Sequence, residues 1–350
     1  MQGTTRSTFV RGRFGIVAAL ACWLLVLSIT ANAQGSGNQP GENAACSSSS
    51  GCPTAGSPAF IDASMFPGKL TSPNFCSVLN YVLTQVDLPP TYPNGAVIDA
   101  RGLASSNPPT SMTCAASPWS GIQNTAPPAT ILLPAGTIVI SKPGWILPSS
   151  TRLIGVGNNN VVTGSGVVTS GTIIQACASG QTGCTPFTNG NTMITMCNQA
   201  CTGVSVENLS LDGQGQMING IANANAGAGS SAASSYVKNV SLFQIQGTGL
   251  SVTGNTPQGS GPYNNITFDT NDAASSNTIC LNVTTSGTQG FHGLTCNSTN
   301  LATTAVFLDA SNTSLTDVQI VGFQSGILVG SRSPSHSDVL RGLAQPFARD

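Results

Sequence analysis

Asp212 and Asp269 are the residues of this sequence whose type and placement could do chemistry. Hydrolysis of a glycosidic bond needs two carboxylates, about 5 to 9.5 Å apart depending on stereochemistry. Each of the two closes a similar seven-residue segment, "VENLSLD" (206–212) and "YNNITFD" (263–269). Stacked two layers apart, the segments would hold the carboxylates about 9.6 Å from each other, at the upper edge of the inverting range. Asp272 follows closely in sequence, and His292 lies in a third such segment, "FHGLTCN". The expectation is therefore a catalytic pair, Asp212 and Asp269, with Asp272 and His292 binding substrate. Plainer roles compete. Asp212 opens "DGQG" and Asp269 opens "DTND", both ordinary turn starts. His292 suits a solvated surface histidine. Glu207, aligned beside Lys238, suits an ion pair between neighbouring strands better than a catalytic role.

What could stack these segments is a repeat. "VENLSLD", "VKNVSLF" (237–243), "YNNITFD", "FHGLTCN" (291–297) and "LTDVQIV" (315–321) align without gaps. The third column reads Asn208, Asn239, Asn265, Gly293 and Asp317. These residue types tolerate a left-handed backbone, so a sharp bend is expected there each time. The fifth column, Ser210, Ser241, Thr267, Thr295 and Gln319, is small or polar and is assigned outward. A second short strand follows each segment, and the repeat length is about 24 to 31 residues. Such a unit cannot bury an apolar face alone, and stacking buries it. The expected fold is all-β, a right-handed parallel β-helix, with a β-sandwich as the alternative. Stacking also accounts for a charged fraction of only 7%, because a charged column would set like charges one strand spacing apart. Upstream, Ser72 and Pro73 read as the start of a helix with Phe75, Val78, Leu79, Val82, Leu83 and Val86 on one face. That helix is expected to cap the N-terminal end of the solenoid.

"VIDARG" (97–102), "ILLPAGTIVIS" (131–141), "TRLIGVG" (151–157) and "TIIQA" (172–176) resemble the N-terminal half of proteins of the pectate-lyase superfamily. The resemblance runs over residues 70 to 331 and implies the right-handed β-helix. It implies a polyuronide or other polysaccharide as substrate or partner, and calcium if the activity is a lyase's; otherwise no cofactor is expected. It brings few catalytic residues with it. The "NTDG", paired "DD" and "GHG" of polygalacturonase-like members have no counterpart, and "FHG" at 291–293 has Phe where the last has Gly. "RSPSHSDVLR" (332–341) is faintly similar to an Arg-x-Pro motif but has no matching Asp cluster. A non-catalytic surface or adhesin-type β-helix, or a β-helix fragment without its site, therefore stands beside the enzyme reading.

Targeting and cysteine usage point the same way. Arg6, Arg11 and Arg13 precede an apolar run that ends at "ANA" (31–33), the pattern of a cleaved export signal; an uncleaved anchor is the alternative. Eleven cysteines are present, and ten remain once Cys22 leaves with the signal. An even count outside the cytosol suggests disulfides. Local spacing pairs Cys46 with Cys52, Cys76 with Cys114, Cys177 with Cys184, and Cys197 with Cys201. Cys280 and Cys296 are left over, although the repeat phase puts Cys280 outward and Cys296 inward. No metal site is expected, since the two histidines lack ligand spacing. No basic stripe marks a nucleic-acid surface. The expected organisation is a signal peptide (1–33), a flexible tether (34–57), an N-terminal cap with one helix (58–94), the β-helix (95–331) and an atypical tail (332–350). The protein is expected to be secreted, periplasmic or at the cell surface, with no membrane span after cleavage.

Overall fold

The computed structural model describes residues 59–70, 74–87, 95–104, 112–158, 160–163, 166–169, 171–196, 202–224, 235–254, 260–270, 278–285, 287–309, 312–330 and 340–341. The segments expected to be signal and tether (1–33 and 34–57) lie outside these residues, as do Asp272 and the pairs Cys46–Cys52 and Cys197–Cys201.

Among the described residues eighteen strands form one continuous ladder system, and their pairings are parallel. The fold is an all-β parallel β-helix. Each coil contributes to three faces. On the first, Ile61, Ile98, Ile131, Leu153, Val206 and Val237 stand in register and point inward. On the second, the inward column is Ile138, Ile174, Leu211, Leu242, Phe268, Cys296 and Ile320. On the third it is Trp145, Ile194, Ile221, Leu250, Leu281, Val306 and Ile327. Like residues thus rest on like residues at each strand step, and the apolar columns merge into one core.

The bend between the first two faces falls at the column that the residue types indicate. Asn208, Asn239, Asn265, Gly293 and Asp317 all have positive φ, between 52° and 69°. Three of them form a side-chain ladder. Asn239 Nδ2 donates to Asn208 Oδ1 at 2.9 Å, and Asn265 Nδ2 donates to Asn239 Oδ1 at 3.0 Å. One coil earlier, Gly155 leaves no room for a side chain, since a Cβ there would lie 2.3 Å from the Asn208 carbonyl oxygen. Just after it the chain leaves the solenoid as an antiparallel hairpin, Asn160–Thr163 with Gly166–Thr169, and re-enters at Thr172, whose N–H donates to the Gly157 carbonyl.

Three expectations need adjusting. The ladder begins at Ala59–Asp62, paired in register with Ala96–Asp99, so one strand of the solenoid precedes the helix and lies in the segment expected to be cap only. The signal was an internal match, "FIDAS" (60–64) with "VIDAR" (97–101), both ending in a short 3-10 turn. The helix spans Phe75–Tyr81 and is capped by Asn74, not Ser72. Asn74 and Ser77 close a reciprocal capping box, which satisfies two end donors at once. It then loosens into a π-helical turn, Val82–Val86, where the Thr84 hydroxyl donates to the Asn80 carbonyl. Finally, Cys280 faces inward. It belongs to a corner column with Gly220 and Gly249, directly before the inward residue Leu281, so two successive side chains point into the core there. A Cβ at Gly249 would lie 2.5 Å from the Phe268 ring, which shows how tight that corner is.

Three disulfides are present among the described residues: Cys76–Cys114, Cys177–Cys184 and Cys280–Cys296, with Cα separations of 5.2, 6.0 and 5.9 Å. The first ties the helix to the strand Met112–Cys114. Three such bonds fit an oxidising compartment. No helix among the described residues is long and apolar enough to cross a membrane.

Candidate functional site

The two aspartates do share a column. Val139, Gln175, Asp212, Phe243, Asp269, Asn297 and Val321 stand in register along the outer edge of the second face. Two strand steps separate Asp212 from Asp269, about 9.6 Å. Between them stands Phe243, a buried aromatic that is outside the main core.

Their surroundings differ. Asp212 is 2% exposed. Its Oδ1 accepts the Gln214 N–H at 2.9 Å, and its Oδ2 accepts the Gln175 amide at 2.8 Å and the Gln214 side-chain amide. Gln214 has φ of 55°, so the carboxylate organises a left-handed turn and is held by donors on both oxygens. That is the turn role. Asp269 is half-buried, and burial pushes its carboxyl above the usual range. Ser210 and Ser241, assigned outward, do point out of the core, but Ser210 is fully buried. Both hydroxyls donate to the Asn158 carbonyl, at 3.2 and 3.5 Å.

His292 does not join the pair. It is exposed in the outer column of the first face, with Glu207, Lys238, Asn264 and Thr316, and the bend at Gly293 separates it from the aspartates. In that column Glu207 does pair in register with Lys238, yet its bonding partner is Arg152 of the preceding coil. Glu207 Oε1 accepts from Arg152 Nη2 at 2.9 Å, Ser205 Oγ at 2.7 Å and Tyr236 Oη at 2.9 Å. Burial opposes the charge on Glu207, but the Ser205, Arg152 and Tyr236 donors outweigh it and hold the carboxyl below its usual range. The guanidinium fork reaches diagonally across the ladder and approaches with both Nε and Nη2, a geometry a lysine ammonium lacks.

Other polar groups carry no sequence signal as a site. Asp62 and Asp99 are in register, one strand step apart. Asp62 caps the following turn through Ser64, and Asp99 binds Arg101 through both carboxylate oxygens, which lowers its proton affinity. Inside the core, Asn223 donates to Tyr263 Oη at 2.9 Å, and Ser260 Oγ lies 2.7 Å from the same oxygen. Burial pushes the Tyr263 hydroxyl up to about 12, and its ring stacks on Phe291 at 4.8 Å. This network bridges the third and first faces. Only the "FIDAS"–"VIDAR" match and the Asn at an apolar column position could have pointed to these groups. No cluster of three or more His, Cys, Asp or Glu side chains that could hold a metal ion occurs among the described residues.

No family model, curated protein or solved structure matches the chain.

Proposed function

We propose that this is an exported β-helix protein, similar in kind to the pectate-lyase superfamily, that binds polysaccharide along its second face without cleaving it. The observation that carries the non-catalytic reading is the state of Asp212. A carboxylate buried and occupied on both oxygens is committed to a turn, which leaves Asp269, two strands away, without Asp212 as its partner for acid–base work. Binding is supported by the half-buried polar groups of the same column, the Asn297 amide beside the Asp269 carboxyl. Amides and carboxylates hydrogen-bond to sugar hydroxyls. Export rests on the signal pattern together with the disulfides.

One observation favours a hydrolase instead. The Asp269 carboxyl is raised by burial, as a general acid requires. The test is a panel of neutral and uronate polysaccharides in affinity electrophoresis, run beside assays for new reducing ends and unsaturated products, with and without calcium. Retardation without product supports the binding reading. Product that disappears in Asp269→Asn establishes the hydrolase, and neither retardation nor product removes both.

A further inference from the structure

The second face changes character along its length. Upstream, its outward polar groups are engaged within the chain. Ser210 and Ser241 donate to the Asn158 carbonyl, and Asp212 accepts from Gln175 and Gln214. One coil beyond Ser241 this stops. Thr267 and Asp269 stand in register with Thr295 and Asn297, and all four are half-buried. The coil after that adds Gln319, exposed, beside Thr295. Among the described residues, the side chains of Thr267, Asp269, Thr295 and Asn297 have no hydrogen-bond or ion-pair partner.

Asp269 gives this patch its sign. Asp212 holds the backbone N–H of its own turn, whereas Asp269 holds none. Its carboxyl has lost part of its water to burial without a donor in exchange, and burial alone moves its proton affinity upward. No lysine or arginine among the described residues belongs to a second-face strand. Lys69 and Arg101 lie in 3-10 turns, and Lys142 follows the strand Gly136–Ile140. Arg152, Lys238 and Arg341 belong to first-face strands. A uronate on this patch meets a like charge with no cation between them. A protonated amine supplies what the chain does not, a cationic donor to a half-buried carboxylate, and charge-assisted bonds of this kind are the strong ones. The neighbouring amide and hydroxyls both donate and accept, so they suit the hydroxyls of the same sugar.

We propose that Thr267, Asp269, Thr295 and Asn297 form a subsite for an amino sugar, and that the polysaccharide bound on this face carries protonated amines, not uronates. This rests on the polysaccharide-binding reading and names its ligand class.

The test titrates the full chain in mildly acidic, low-salt buffer with three probes: chitosan oligomers, the same oligomers fully N-acetylated, and oligogalacturonate with and without calcium. The amine-bearing oligomer should bind, and the acetylated one should bind roughly tenfold more weakly or worse. Added salt should narrow that gap. Asp269→Asn should bring the two affinities together. Asp62→Asn removes one carboxylate from the first face, where asparagine can still cap the turn through Ser64, and should leave the gap intact. Equal affinities in the parent protein, a preference for the uronate, a gap that survives Asp269→Asn, or an equal loss in both variants each overturns the subsite and leaves polysaccharide binding standing. Failure to bind any of the three probes, or any member of the neutral and uronate panel, removes the polysaccharide reading and the subsite with it.

Discussion

Asn239 illustrates what single residues do here. It holds φ of 53°, accepts from Asn265 and donates to Asn208. Asn239→Ala removes both bonds and puts an alanine in the left-handed region, so a loss of about 1 to 3 kcal/mol is expected in denaturant unfolding. At Gly293, where the ladder stops, a Cβ would lie 2.7 Å from Asn265 Oδ1, a side-chain atom that can turn away. Gly293→Asn extends the ladder at a backbone angle that asparagine tolerates, and a rise in the unfolding midpoint is the expected outcome. Asp87 sets a pH dependence. It is 0% exposed, both carboxylate oxygens lack a hydrogen-bond partner, and burial raises its pKa from 3.8 to about 7. Over that window the native state holds a proton that the unfolded chain has released. This contribution to stability is thus fully present below about pH 4 and is lost as pH rises to about 7. In Asp87→Asn the decline between those values should shrink when midpoints are compared across pH. An unchanged slope would assign the dependence elsewhere.

Elements show where sequence reading works and where it stops. The coils from 205 onward are legible because each position is repeated, so column identity survives any one irregular residue. Asn208, Asn239 and Asn265 marked the bend, and the register of Asp212 with Asp269 followed from the same alignment. The fate of the aspartates did not follow. That Asp212 is spent on Gln175 and Gln214 depends on a neighbour in another coil and on a turn beyond the strand, neither of which has a columnar pattern. Arg152 as the partner of Glu207 was hidden for the same reason, because the bond is diagonal where the alignment shows only direct neighbours. Cys280 was misphased since strict alternation fails at corners, where Cys280 and Leu281 are both buried. Its bond to Cys296 joins the third face to the second across the core. Closing a loop of this length stabilises by about 3 kcal/mol in the chain-entropy model. The double replacement Cys280→Ala and Cys296→Ala should lower the unfolding free energy by that order, and chiefly raise amide exchange in strands 279–308. An effect spread evenly over the chain would contradict the local role.

At the scale of the whole molecule, stability is a sum over neighbouring coils, not a property of one centre. An inner coil is covered above and below, whereas the coil Asn312–Val329 has, among the described residues, a complete layer on one side only. The third-face column allows a controlled comparison, because the same residue type occurs in both settings. Ile221 is fully buried between Ile194 and Leu250. Ile327 rests on Val306 and is half-buried. Ile221→Ala removes atoms that pack on both sides and leaves a cavity that the rigid ladders hinder from collapsing, so a cost of about 2 to 5 kcal/mol is expected. Ile327→Ala deletes the same atoms where water already reaches them, and the cost should be less than half as large. Denaturant midpoints of the two variants measure the difference. Equal losses would mean that Ile327 is covered as fully as Ile221. A smaller loss at Ile221 than at Ile327 would reject the coil-by-coil account of this fold's stability.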